Sequence, residues 1–492
     1  MNKKYLNYLI KNRKVLILFF LAVYLCVCLT WNLSAAGTAV PGYGYYSAAK
    51  AAIAISIVLC YALPVLLFSY VHQRSSADLY FALPVSRKEQ RISTLVFAFK
   101  ISFGYFLITI IAAWLLFGIG IVPAGRVLEC ICFAAFLIIT LLSFNTMLYL
   151  FANNLLDGIV TMAAYTMFPV VGSMAESIIV SNIVAGGTPA VKDGIFVFLS
   201  PVLMLIRNFA ATISMNGWLF QQFNIPYLIL SAAYLVLSWL VVRKHFDERQ
   251  SERAGQISDH PLTYPTINNL YAVIFLLVFG SYLVIEPGPE LIVMYIFLLV
   301  CYVAGSFLYR RKLKVDAKMI GTYVLEAVLC AGLMFIGWKT QGFGAARAYS
   351  LTESRQIVYQ YNMQAERDDL GQSTAADQNA YVMFSIAADT DGNSGAEEFK
   401  NLMENYRSRA IDEFYEGQKD GVMTGSFQVY MTNDNGSHYE NSYFYNPSVP
   451  FTEEELKQIS KYGDVEVYVY DENFEEERYL LDDYLKKRES LR

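Results

Sequence analysis

The chain has 492 residues, of which 55% are hydrophobic, 15% aromatic and only 16% charged, where a soluble protein has about 25% charged. Its formal net charge of −5 hides two materials: residues 339–492 carry 15 Lys/Arg and 29 Asp/Glu, a net of −14, and residues 1–338 carry the other 23 basic and 14 acidic groups, a net of +9. A basic apolar body joined near Trp338 to an acidic polar tail excludes a single soluble enzyme, a coiled coil, a disordered chain and a nucleic-acid binder.

A helix that crosses a bilayer needs about 20 predominantly apolar residues. The chain offers nine such stretches: Val15–Trp31, Ala48–Val71, Leu95–Val122, Val127–Phe151, Gly158–Val184, Ile225–Val242, Leu270–Ile285, Leu291–Leu308 and Met319–Trp338. Lys3, Lys4, Lys11, Arg13 and Lys14 precede the first. Its apolar core is longer than that of a signal peptide and lacks an A-x-A cleavage site, so it reads as an uncleaved anchor. With the N-terminus placed in the cytoplasm, the inner connections carry Arg74, Arg87, Lys88 and Arg91, then Arg243, Lys244, Arg249 and Arg253, then Arg310, Arg311, Lys312 and Lys314. The outer ones carry Arg126, Lys192 and Arg207, which satisfies the positive-inside rule. Nine is odd, so the acidic tail is expected outside the cell. Between spans five and six, Ile195–Ile206 is short and contains Pro201; it reads as a re-entrant or interfacial helix. A tenth span there would return the tail to the cytoplasm.

The tail alternates strand and helix signals. Gln356–Tyr361, Tyr381–Ala387 and Val465–Tyr470 read as strands, and Phe427–Thr432 with Tyr439–Tyr445 as a hairpin across Asn435-Gly436. Ala396–Glu416, a helix opened by the Thr452/Glu455 capping box, and Tyr479–Arg488 read as helices. From Tyr381 the order is βαββαβ, the split-βαβ pattern of a ferredoxin-like sandwich. The expected fold class is therefore a polytopic α-helical membrane protein of about nine transmembrane helices with a C-terminal soluble α+β domain.

Chemistry-bearing patterns are sparse. There is no G-x-x-x-x-G-K-[ST], H-E-x-x-H or G-x-S-x-G, and the four histidines are His72, His245, His260 and His438. Nothing points to a cofactor or a metal. The seven cysteines all lie in apolar runs, as small core residues do. Asp389–Asn393 followed by Glu397 and Glu398 resembles a calcium loop, but Ser394 and Lys400 stand where an EF-hand needs Gly and Glu. The acidic run Asp471–Glu477 reads as a solvated turn. The Tyr-rich strands (Tyr359, Tyr361, Tyr430, Tyr439, Tyr443, Tyr445) read as half-buried sheet faces before they read as a stacking surface.

Polar groups inside spans are costly and face protein or water. Asn145 in span four, Glu176 in span five and Glu326 in span nine are candidates for a polar translocation path, with Arg207 as an outer partner for Glu176. Interhelical hydrogen bonding is the plainer reading of each. Lys100 lies near enough to the inner end of span three to snorkel.

The loop after span two reads Asp78-Leu79-Tyr80-Phe81-Ala82-Leu83-Pro84-Val85-Ser86-Arg87-Lys88, apolar and basic at once. It resembles the D-x-x-x-x-L-P-[VI]-S/T-R signature of ABC-2 type transporter permeases. The basic segment Lys3–Lys14 is similar to that family's interface helix, and six spans end near Val242. The resemblance covers residues 1–245 and implies an ATP-driven exporter subunit with no ATPase site of its own. It implies that Asp78, Leu83, Pro84, Arg87 and Lys88 meet a separate ATPase on the cytoplasmic face. It also implies a second permease subunit, identical or not, in a bacterial plasma membrane. Residues 246–338 add three spans and residues 339–492 an extracytoplasmic domain, as in extended permeases of Gram-positive anaerobes. The competing reading is a polytopic membrane sensor with an extracytoplasmic ligand-binding domain, which the absence of a cytoplasmic output domain disfavours.

Overall fold

The structure, a computed structural model, describes residues 3–35, 43–185, 195–212, 224–258, 260–285, 287–310 and 316–347, the six strands and last helix of the tail, and scattered residues between 401 and 415 and between 454 and 461. The helices are α1 (Lys3–Asn12), α2 (Lys14–Ala35), α3 (Tyr43–Phe68), α4 (Arg74–Phe81), α5 (Arg87–Ala113), α6 (Ala124–Leu150) and α7 (Leu155–Ile183). They continue with α8 (Ile195–Phe198), α9 (Pro201–Thr212), α10 (Ile225–Asp247), α11 (Tyr264–Ile285), α12 (Pro289–Arg310) and α13 (Ala317–Lys339). Eight helices among the described residues are long and apolar enough to cross a bilayer, the first running over Tyr43–His72 and the last over Ala317–Lys339. Ahead of them α2 spans 22 residues, about 33 Å at 1.5 Å per residue, and its described apolar part is Lys14–Cys26. The chain is a multi-pass helical membrane protein.

Two expected boundaries move. Span three starts at Arg87 instead of Leu95, because the Ser86 hydroxyl accepts from the Glu89 backbone N–H and opens the helix there. It ends in a π-helical turn, Trp114–Gly118, where the Trp114 indole donates to Val122 O at 3.0 Å. The apolar stretch Ile195–Ile206 divides into α8 and α9, each too short to span. The break falls before Pro201, which starts α9, and the Ser200 hydroxyl accepts from Leu203 N at 3.1 Å.

The chain divides into two compact units: residues 1–173, 192–272 and 301–315 form the first, and 174–191, 273–300 and 316–492 the second. These interleave along the sequence. In the first unit the core runs through α1–α3, α5, α6, α9 and α10. Buried Ala48, Ala49, Ala51 and Ala52 let neighbours approach α3 closely. Hydroxyls then stitch the helices: Tyr24 donates to Ala52 O at 2.9 Å and Tyr105 to Ile17 O at 2.6 Å. Outward positions are apolar and exposed, as at Val15, Leu18 and Phe19, which suits lipid.

In the second unit, Asn182 Nδ2 donates to Ser281 Oγ at 3.0 Å and Tyr323 to Tyr295 O at 2.7 Å. The tail contributes a six-stranded antiparallel sheet of β1 (Gln356–Gln364), β2 (Tyr381–Asp389), β3 (Gly425–Thr432), β4 (His438–Tyr445), β5 (Asp464–Tyr470) and β6 (Glu476–Leu480), ordered β4-β3-β1-β2-β5-β6. The β3–β4 hairpin pairs Thr432 with His438 around the expected turn. The β2–β5 pairing is one that a ferredoxin-like order contains; β1 lying between β2 and β3 is not. The segment expected as a helix from Tyr479 begins as β6 and turns helical only at α14 (Leu481–Leu491). The calcium-like loop 390–400, the acidic run 471–475 and the side chains of the Tyr-rich strands lie outside the described residues.

Candidate functional site

One end of the first unit gathers α1, α4, the start of α5 and the chain that follows α10. Amphipathic α1 buries Tyr5, Leu6 and Leu9 against α5 and leaves Lys3, Lys4, Lys11 and Lys14 exposed; Arg13, in the turn to α2, is half-buried. Burial pushes the Tyr5 phenol up to about 12. The stretch 78–88 is a short helix and a tight turn, not a free loop. Buried Gln90 holds it, donating from Nε2 to Tyr80 O at 2.9 Å and to Val85 O at 3.3 Å. Tyr80 stacks on Tyr70 with centroids 4.2 Å apart. Leu83 and Val85 tuck partly into the core. Asp78, Leu79, Pro84 and Lys88 stay exposed, and Leu79 shows 67% of its surface.

Arg87 is committed inward. Its Nη1 donates to Asp247 O at 3.0 Å and Arg249 O at 2.7 Å, and its guanidinium lies 4.4 Å from the Phe81 ring centre. One turn on, Arg91 is almost fully buried, pairs with Asp247 at 3.2 Å and lies over Trp239. The signature therefore splits in two. Arg87 fastens the turn to the C-terminal end of α10, and Lys88 is presented outward.

Behind this face sits Arg249, 8% exposed. Its two Nη atoms donate to Leu150 O at 2.9 Å and Ala152 O at 2.8 Å, carbonyls left over at the end of α6. Nη2 also lies 3.3 Å from His72 Nδ1. Burial lowers the Arg249 pKa to about 10, so the group is charged at neutral pH. The neighbouring turn is equally built. Buried Asp157 accepts from Ser258 Oγ at 3.1 Å and Tyr264 OH at 2.8 Å, and Asn153 N donates to Ser258 Oγ at 2.9 Å. Gln90, Asp157 and the node role of Arg249 escape a sequence reading, because their partners lie 5 to 177 residues away and are brought together only by the fold.

The intramembrane candidates differ in burial. Asn145 is fully buried and donates from Nδ2 to Cys60 O at 3.0 Å. That carbonyl needs a donor because Pro64, four residues on, has no N–H to give it. Asn145 thus repairs a proline break and packs α6 on α3. Arg207 donates to Tyr227 OH at 3.1 Å. Glu176 is half-buried on α7. Glu326 is half-buried on α13, with Oε2 buried and unbonded among the described residues.

In the second unit the described residues between 401 and 415 are helical. Tyr415 donates to Ile183 O at 2.6 Å and accepts from Ala185 N at 3.1 Å, capping α7. Trp338, at the end of α13, lies 5.4 Å from Phe414 and 5.0 Å from Tyr415 between ring centres, and Arg347 pairs with Asp412. The intervening turn carries positive φ at Gln341, Gly342, Phe343 and Gly344. No known protein family, curated protein or solved structure matches the chain.

Proposed function

We propose that the chain is the membrane-spanning permease subunit of an ATP-driven ABC exporter whose ATP hydrolysis is done by a separate chain. The observation that carries this reading is the helix–turn of residues 74–86, clamped from behind by Gln90 and Arg87 while Leu79, Pro84 and Lys88 face outward. A rigid projection of this kind transmits a push from a bound partner into α5 and α10, which a slack loop does not. The exposed lysines of α1 extend the same basic end. ATP-driven closure of the partner would favour one permease conformation, and cargo that binds the two conformations unequally would be moved between faces. One chain supplies half a path, so a second permease subunit completes it.

The nine-span topology draws support from the tail. Spans five and nine, α7 and α13, both end outside in that topology. Phe414 and Tyr415 meet the C-terminal ends of both helices, through Trp338 and Ile183. A tenth span between them would put those two ends on opposite faces. The domain after Trp338 is accordingly proposed to be extracytoplasmic, in a bacterial plasma membrane with the N-terminus inside.

The test is co-purification of an ABC ATPase with wild-type protein and with the Leu79→Glu/Lys88→Glu double variant. Both positions are exposed, so the fold should survive and the ATPase should be lost. Retention by the variant removes this face from the interface, and failure of wild type to hold any ATPase overturns the reading. Arg87→Glu is a poor probe, because it also unfastens α5 from α10.

A further inference from the structure

A cavity of about 260 Å³ opens beside Arg249, lined in part by Arg249, Arg253, His245, His260, Gln250 and Glu248. Three features mark it as a binding site. Arg249 is a buried cation with no carboxylate pairing to it among the described residues, and its Nε is buried without a partner. The carbonyls that hold its Nη atoms carry no net charge, so this buried cation beside a cavity favours an anion. Arg253 lines the same cavity, is exposed, and its guanidinium has no hydrogen bond or ion pair among the described residues. The wall is preorganised: the His260 ring stacks on Phe151 at 4.4 Å and His245 meets both edge-on at 5.2 Å. Glu248, the one carboxylate in the lining, is exposed.

We propose that this cavity binds a phosphate group. Arginine forks match phosphate oxygens two at a time, and imidazole N–H groups supply further donors. The volume is below the roughly 300–1,000 Å³ of sites for drug-sized ligands, which suits a single headgroup or oxyanion. The cavity lies where α6 and α10 end, at Leu150 and Asp247, the depth at which a spanning helix meets lipid headgroups. The phosphate is therefore that of an anionic lipid or of a soluble phosphate. This inference goes beyond the exporter reading and needs no ATPase.

The experiment uses the full-length protein, purified and delipidated in phosphate-free detergent without any ATPase. Inorganic phosphate is titrated by equilibrium dialysis, and retention of phosphatidic acid is compared with that of phosphatidylcholine by native mass spectrometry. Wild type should hold one phosphate group per chain; exposed Arg253→Gln should weaken binding about tenfold with an unchanged melting temperature, and His260→Gln should weaken it as well. Binding of free phosphate assigns a soluble source; selective retention of phosphatidic acid alone assigns the lipid. Absence of both, or variants that bind as wild type does, overturns the proposal. Arg249→Gln is kept as a second variant only, because it also strips the cap from α6.

Discussion

Asn145 shows how one side chain is explained by another 81 residues away. Pro64 removes an N–H from α3, Cys60 O loses its helical donor, and Asn145 supplies a replacement in a setting without water. Asn145→Leu should therefore cost about 1–2 kcal/mol, read as a lower melting temperature in detergent. The same substitution in a Pro64→Ala background should cost clearly less, because the helix can then satisfy Cys60 itself. Equal costs in both backgrounds would refute the repair. Arg91 and Asp247 make a second residue-scale test. The Arg91 side chain is 2% exposed and that of Asp247 33%. Asp247→Asn strands a buried cation and should cost about 3 kcal/mol. Arg91→Met leaves a carboxylate that water can reach and should cost less. A reversed order, measured by thermal unfolding, would contradict this account of the pair.

Among the elements, the joint between α13 and the tail is the most specified. Four successive positive-φ residues, 341–344, turn the chain back, and a Cβ at Gly342 would lie 2.8 Å from the Val184 side chain. Gly342→Ala is thus strained twice, by conformation and by contact. Tyr415→Phe removes only the bond to Ile183 O and the acceptor for Ala185 N. It should loosen the docking by about 1 kcal/mol, visible as faster proteolysis between residues 340 and 400. Gly342→Ala should do so more strongly. Unchanged cleavage in both would mean that Trp338, Phe414 and the Arg347–Asp412 pair hold the segment without them.

At the scale of the whole molecule, the question is which face each end occupies. Protease added to intact protoplasts should remove a tag placed after Arg492. Protection of the tag would require an even number of spans and move residues 339–492 to the cytoplasmic side. Phe414 and Tyr415 contact the ends of both α7 and α13, so those two ends lie on one face, as an external tail with the N-terminus inside would require.

The spans were legible because lipid demands length and apolarity, and both are written locally in the chain. The amphipathic α1 was legible from the spacing of Tyr5, Leu6 and Leu9 between lysines. The strands 356–361, 381–387, 427–432, 439–445 and 465–470 were found within a few residues, because β-branched and aromatic runs between turn residues need no distant information. β6 was missed, since a five-residue edge strand leading straight into a helix lacks a pattern of its own. The basic character of one end was likewise visible in composition. Only the tertiary structure decided what those charges do. It made Arg87 a clasp and left Lys88 exposed although the two are adjacent. It closed Arg249 over the leftover carbonyls of α6, and it turned Asn145 from a candidate pore residue into the partner of a proline-freed carbonyl. Hydropathy is a sum over neighbours in sequence, whereas a hydrogen-bond partner is a neighbour in space. The first can be read along the chain, and the second exists only once the helices have packed.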